Sequence, residues 1–117
     1  MLRFKDKVKL NGVKPEMAPV FTVASEAYKE LCGVDCWVTS VCDGKHADDS
    51  KHYVGFALDL RIRNLIDAKK FRRAGFNSPE LVEKAHNLTN CLINCLGDNF
   101  DVVLERTHIH IEYDPTK

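Results

Sequence analysis

Two short blocks of the chain, counted with His46 just upstream of the first, hold four of its five histidines, with carboxylates beside them. The first runs Ser50-Lys51-His52-Tyr53-Val54-Gly55-Phe56-Ala57-Leu58-Asp59, with His46 a few residues upstream. The second is Glu105-Arg106-Thr107-His108-Ile109-His110. Imidazole and carboxylate are the ligands a catalytic zinc takes, with three protein ligands and one position left open to water. One histidine and one carboxylate from the first block, with one histidine from the second, make such a set.

Each of these residues also has a plainer reading. His108 and His110 are two apart in a strand-like run, so they share a face, and a pair of surface histidines would look the same. Asp59 stands between Leu58 and Leu60, where an unpaired buried carboxylate is costly. It needs a metal or a cation, and Arg61 or Arg63 would serve as the cation. Glu105 is either a turn residue beside Arg106 or a general base that takes a proton from an activated water and passes it to a leaving amine. His108 suits the same task if it is not a ligand. Zinc makes that proton available by lowering the pKa of water from about 15.7 towards roughly 7. His46 is either a solvated loop residue or a partner for a scissile carbonyl or its oxyanion. His86 falls on the solvent face of a helix, and Asp48 and Asp49 fall in a polar loop.

The elements that must position these residues can be read from periodicity and punctuation. Met1 to Asn11 alternates weakly and ends in the turn signal Asn11-Gly12. Met17, Val20, Phe21, Ala24, Ala27, Tyr28 and Leu31 recur at three and four, which predicts a helix from about Pro15 to Leu31 stopped by Gly33. Cys36 to Val41 is β-branched and aromatic and predicts a strand. A polar loop follows from Cys42 to Lys51. His52 and Asp59 lie on opposite parities of a strand, so a turn over His52 to Gly55 and a strand from about Phe56 are expected. Asn64 to Asn77 is mixed, a short helix or an exposed loop. Ser78-Pro79-Glu80 opens a second helix with Leu81, Val82, Ala85, Leu88, Leu92 and Leu96 inward and Gly97 at its end. Phe100 to Leu104 and Thr107 to Tyr113 form a strand pair or one interrupted strand. This order predicts an α+β fold: a small, mainly antiparallel sheet with helices packed on one face.

The 117 residues fit a single domain, with 44% hydrophobic and 29% charged residues, as in ordinary globular proteins. The formal net charge is zero, which gives no pull towards nucleic acid or an anionic membrane. No apolar run resembles a signal peptide or a membrane span, so the expected product is cytoplasmic as synthesised. The five cysteines, Cys32, Cys36, Cys42, Cys91 and Cys95, are an odd set without zinc-knuckle spacing. They read as small apolar residues of a protein in a reducing compartment.

The first block matches the pattern S-x-H-x-x-G-x-A-x-D at every fixed position and so resembles the D-Ala-D-Ala metallopeptidases. That family includes D,D-carboxypeptidases, D-Ala-D-Ala dipeptidases and phage endolysins, and the hedgehog amino-terminal domain shares its fold and zinc site. The likeness is close over about ten residues and looser over the second block. It implies one zinc ion held by His52, Asp59 and a histidine of the second block. An E-x-x-H spacing would select Glu105 and His108; an H-x-H spacing would select His110. We read His110 as the ligand, with Glu105 and His108 moving protons and His46 at the carbonyl. The resemblance also implies hydrolysis of peptidoglycan stem peptides at a bond involving D-alanine, by a monomer of phage-lysin or D,D-carboxypeptidase type. The alternative it implies is an inactive zinc-bearing module of the same fold that binds a peptide or protein.

Overall fold

Alternation along three strands and a three-four repeat along two helices decide which side chains are buried. The computed structural model describes residues 1–10, 12–41 and 56–115. The expected 42–51 loop and the turn over 52–55 lie outside that range, and so do His46, Ser50, His52 and Gly55.

Strand β1 (Leu2–Phe4) is followed by helix α1 (Ala18–Cys32), entered through a 3-10 turn at Pro15–Met17. Pro15 fits that first turn because its missing N–H would have no partner there. Gly33 ends α1 with a left-handed φ of 65°, and its N–H donates to the Lys29 carbonyl at 2.9 Å. Val20, Ala24, Ala27 and Tyr28 form the buried stripe of α1. Leu31, expected in that stripe, is 50% exposed at its edge.

Strands β2 (Cys36–Ser40) and β3 (Ala57–Arg61) come next, then helix α2 (Ala68–Ala74). The Asp67 carboxylate caps α2 by accepting from the Lys69 N–H at 2.7 Å. Helix α3 (Pro79–Leu96) starts where Ser78 Oγ accepts from the Leu81 N–H at 3.3 Å. Leu81, Ala85, Leu88 and Leu92 are buried, whereas Val82 is exposed on the flank of the stripe. Strands β4 (Phe100–Leu104) and β5 (His108–Tyr113) are a true hairpin. Its turn is closed by the Glu105 N–H donating to the His108 carbonyl at 2.9 Å.

The five described strands form one sheet in the order β1-β2-β3-β5-β4. β1 runs parallel to β2, and every other pairing is antiparallel. This is the expected α+β architecture with a mainly antiparallel sheet. Cys36, Val38, Leu58, Leu60, Ile109 and Ile111 point to one face and pack against α1 and α3 in one core. Alternation therefore sends Asp59, Arg61, His108, His110 and Glu112 to the opposite face. Cys32 and Cys36 do not share a helix, since Gly33 turns the chain between them and Cys36 is buried in β2. Cys91 and Cys95 do share α3, with sulfurs 3.9 Å apart, and Cys95 is exposed.

Tyr28 ties the helical layer to the sheet. Its ring is fully buried and its hydroxyl donates to the Arg61 carbonyl at 2.6 Å. Tyr28→Phe keeps the ring and leaves that carbonyl without its donor, at an expected cost of about 1–2 kcal/mol. Urea unfolding of the two proteins measures it, through a lower midpoint at an unchanged slope.

Candidate functional site

The site begins with a register. Asp59 on β3 is directly opposite His110 on β5, and Arg61 is directly opposite His108. Residues opposite one another in an antiparallel pair face the same way. All four side chains therefore rise from the face that α1 and α3 do not cover. Antiparallel pairing brings together residues that are 51 apart in sequence.

Asp59 Oδ1 lies 2.9 Å from His110 Nδ1 and 3.6 Å from His108 Nε2. His110 Nε2 in turn lies 2.8 Å from Glu112 Oε1. The His110 ring is thus held between two carboxylates, both of which favour its charged form. The bond to Asp59 is the main cause, and with help from Glu112 it pushes the His110 pKa up to about 9, against the opposing effect of burial. At neutral pH the ring is an imidazolium that donates to Asp59 and to Glu112. Arg61 and Arg63, the cations its sequence neighbourhood offers, form no ion pair with Asp59 among the described residues, where it meets the imidazoles of His110 and His108. Thr107 Oγ1 is 3.0 Å from His108 Nδ1, and Thr39 Oγ1 donates to the Asp59 carbonyl at 3.4 Å.

Asp59, His108, Thr107 and Thr39 form part of an open cleft of about 230 Å³, whose lining also includes Lys5, Arg61 and Arg63. Glu105 is placed differently. It is exposed in the β4–β5 turn and lines a separate cleft with Phe76, Leu81, Val82, Ala85 and His86, on the side of α3. Among the described residues its side chain makes no hydrogen bond or ion pair. His86 is exposed, as its helix position predicted. His46 and His52 lie outside the described residues, so the structure brings together Asp59, His108 and His110 of the six candidate site residues.

Two features were missed by sequence reasoning. Glu112 continues the His108-x-His110 alternation by one more step, and that period of two was the signal for it. Glu112 also pairs across the hairpin with Asp101. With Asp114 these carboxylates place one oxygen each within 4.8 Å of one another, a group that could hold a metal ion. Oxygen-only donors of this kind suit hard cations better than zinc.

The chain matches no family model and no curated protein.

A pH dependence follows from the raised pKa of His110. Its folded value of about 9 lies above the ordinary 6.5. The added stability is therefore fully present below pH 6.5 and is lost as pH rises through about 9. The full effect is on the order of 3 kcal/mol in metal-free protein. Melting temperatures measured from pH 6 to 10 should fall over that window, and His110→Gln should flatten the fall. An equal slope in the variant would show that His110 does not carry it.

Proposed function

We propose that the protein is a zinc-dependent peptidase that hydrolyses peptidoglycan stem peptides at a bond involving D-alanine. The observation that carries this reading is the convergence of the Asp59 carboxylate with two imidazoles on the uncovered face of the sheet. Tetrahedral zinc with ligands at about 2.0–2.2 Å sets its ligand atoms about 3.3 Å apart. The 2.9 Å separation of Asp59 from His110 lies a little under that distance, so this carboxylate–imidazole pair suits two of the ligand positions.

Asp59 and His110 would hold the zinc, with His52 from the family resemblance as the remaining ligand. Glu112 supports His110 in this role, because a ligand imidazole commonly gives its other N–H to a carboxylate that fixes the ring. When bound, the zinc supplies a water that ionises near neutral pH and a Lewis acid for the scissile carbonyl. His108 shares the cleft with Asp59 and is held by Thr107, which suits it to carry a proton to the leaving amine. Glu105 is the other proton carrier the family pattern nominates. His46 would meet the carbonyl oxygen.

A second reading, a zinc-bearing module that binds peptides without turnover, draws support from one observation. Glu105 lines a different cleft from Asp59 and His108. Kinetics on variants separates the two readings. Purified protein should hold one zinc per chain, and mass spectrometry of digested peptidoglycan should show one defined cleaved bond. His110→Gln should lose both the metal and the cleavage. His108→Ala should keep the metal and slow turnover by about 100-fold or more. Glu105→Ala with full metal and full turnover would leave His108 as the proton carrier. A parent protein that binds zinc and cleaves nothing would favour the binding module, and a parent without metal would end both readings.

A further inference from the structure

The cleft that holds Asp59 and His108 has a strongly basic wall. Lys5, Arg61 and Arg63 all line it. Among the described residues none of the three forms an ion pair with a carboxylate. Asp59 faces the same space but bonds to histidines. Arg61 is fixed in place by Trp37, whose ring centroid lies 4.8 Å from its guanidinium carbon. Burial first, and then the charge of Arg63, hold the Arg61 guanidinium below its usual pKa, as expected for crowded cations. Arg63 also lines an adjoining cavity of about 430 Å³, together with Phe71 and Arg72. Three cations gathered at a cleft repel one another, and an anion that enters relieves the repulsion. Guanidinium groups take carboxylates in two-pronged hydrogen bonds that a neutral amide does not match.

We propose that this basic wall is a recognition site for a carboxylate of the substrate, with Arg63 extending it towards Arg72, so that the site selects acidic peptides. The proposal rests on the peptidase reading for the word substrate, but its binding step does not need turnover. Arg61 lies two register positions from the Asp59–His110 pair, on the same face, and its cross-strand neighbour is His108. A carboxylate held by Arg61 and Arg63 would thus sit beside the reacting bond and fix the direction in which the peptide lies.

Binding can be read apart from cleavage. The probes are the tripeptide L-alanyl-γ-D-glutamyl-L-lysine and the same peptide with both its carboxylates amidated, titrated by calorimetry into the full chain. The peptide with free carboxylates should bind about tenfold more tightly or better, a preference that weakens with salt. Arg63→Gln should remove most of the preference. Arg61→Lys keeps a cation and the fold but loses the two-pronged geometry, so it should lower the preference in part. Equal affinities for the two peptides, or a preference unchanged in Arg63→Gln, would overturn the proposal, as would no measurable binding of either. A preference for the peptide with free carboxylates in a protein that cleaves nothing would uphold this site and sink the peptidase reading. Cleavage of stem peptides without such a preference would do the reverse.

Discussion

The pairing of Asp59 with His110 across β3 and β5 is the constraint on which the uncovered face depends. A carboxylate inside an apolar strand is tolerable only with a partner, and the antiparallel register provides one directly opposite. The same register sets Arg61 against His108 and Ala57 against Glu112. A slip of one residue would turn Asp59 into the core and Leu58 or Leu60 out of it. The burial of Leu58, Leu60, Ile109 and Ile111 against α1 and α3 therefore fixes the site as firmly as any bond within it. Tyr28 adds to this by anchoring the end of β3 to the helical layer through the Arg61 carbonyl.

The His110 ring lies between Asp59 and Glu112. Two carboxylates that face one ring from both sides favour a positive charge at that point. A proton on the ring answers the demand in one way, and a metal ion held by His110 and Asp59 would answer it in another. The two compete, because a ligand imidazole must give up its proton on the ligating nitrogen. Glu112 can keep its hydrogen bond to Nε2 in both states, so it orients the ring throughout.

Much of the fold was legible because its signals are local. Pro15 and Gly33 bound α1, and Ser78 with Pro79 opens α3. The alternation over Phe100–Leu104 and Thr107–Tyr113 marked strand there but left a pair or one interrupted strand open, and the turn over Glu105 to Thr107 makes it a pair. Leu31 and Val82 were placed in the core because periodicity marks a stripe without saying how wide the neighbouring layer is. The site was legible in its parts. The shared face of His108 and His110 follows from a period of two, and so does the face of Glu112. The opposition of Asp59 to His110 rests on strand order, β3 beside β5, which no local pattern encodes. Glu105 shows the limit of parity: it is one residue past β4, where the chain leaves the strand and the side chain takes its direction from the turn.

A formal net charge of zero conceals how charge is divided across this face. Arg61, Arg63 and Lys5 line the cleft beside Asp59 and His108, whereas Asp101, Glu112 and Asp114 gather on the β4–β5 side of His110. The two groups do not neutralise each other, because Asp59 and the two histidines stand between them and bond among themselves. Were Asp59 paired with Arg61, as its sequence neighbourhood first implies, the carboxylate would be withdrawn from the histidines and the cleft would lose a free cation. Pairing with His110 prevents both losses. One hydrogen bond thus keeps the carboxylate and the imidazole together and leaves the neighbouring guanidinium groups without that carboxylate as a partner. Such a separation of charge acts over roughly 10 Å at 0.1 M salt, about the width of two or three strands. It gives a chain without net charge a cleft with a definite polarity.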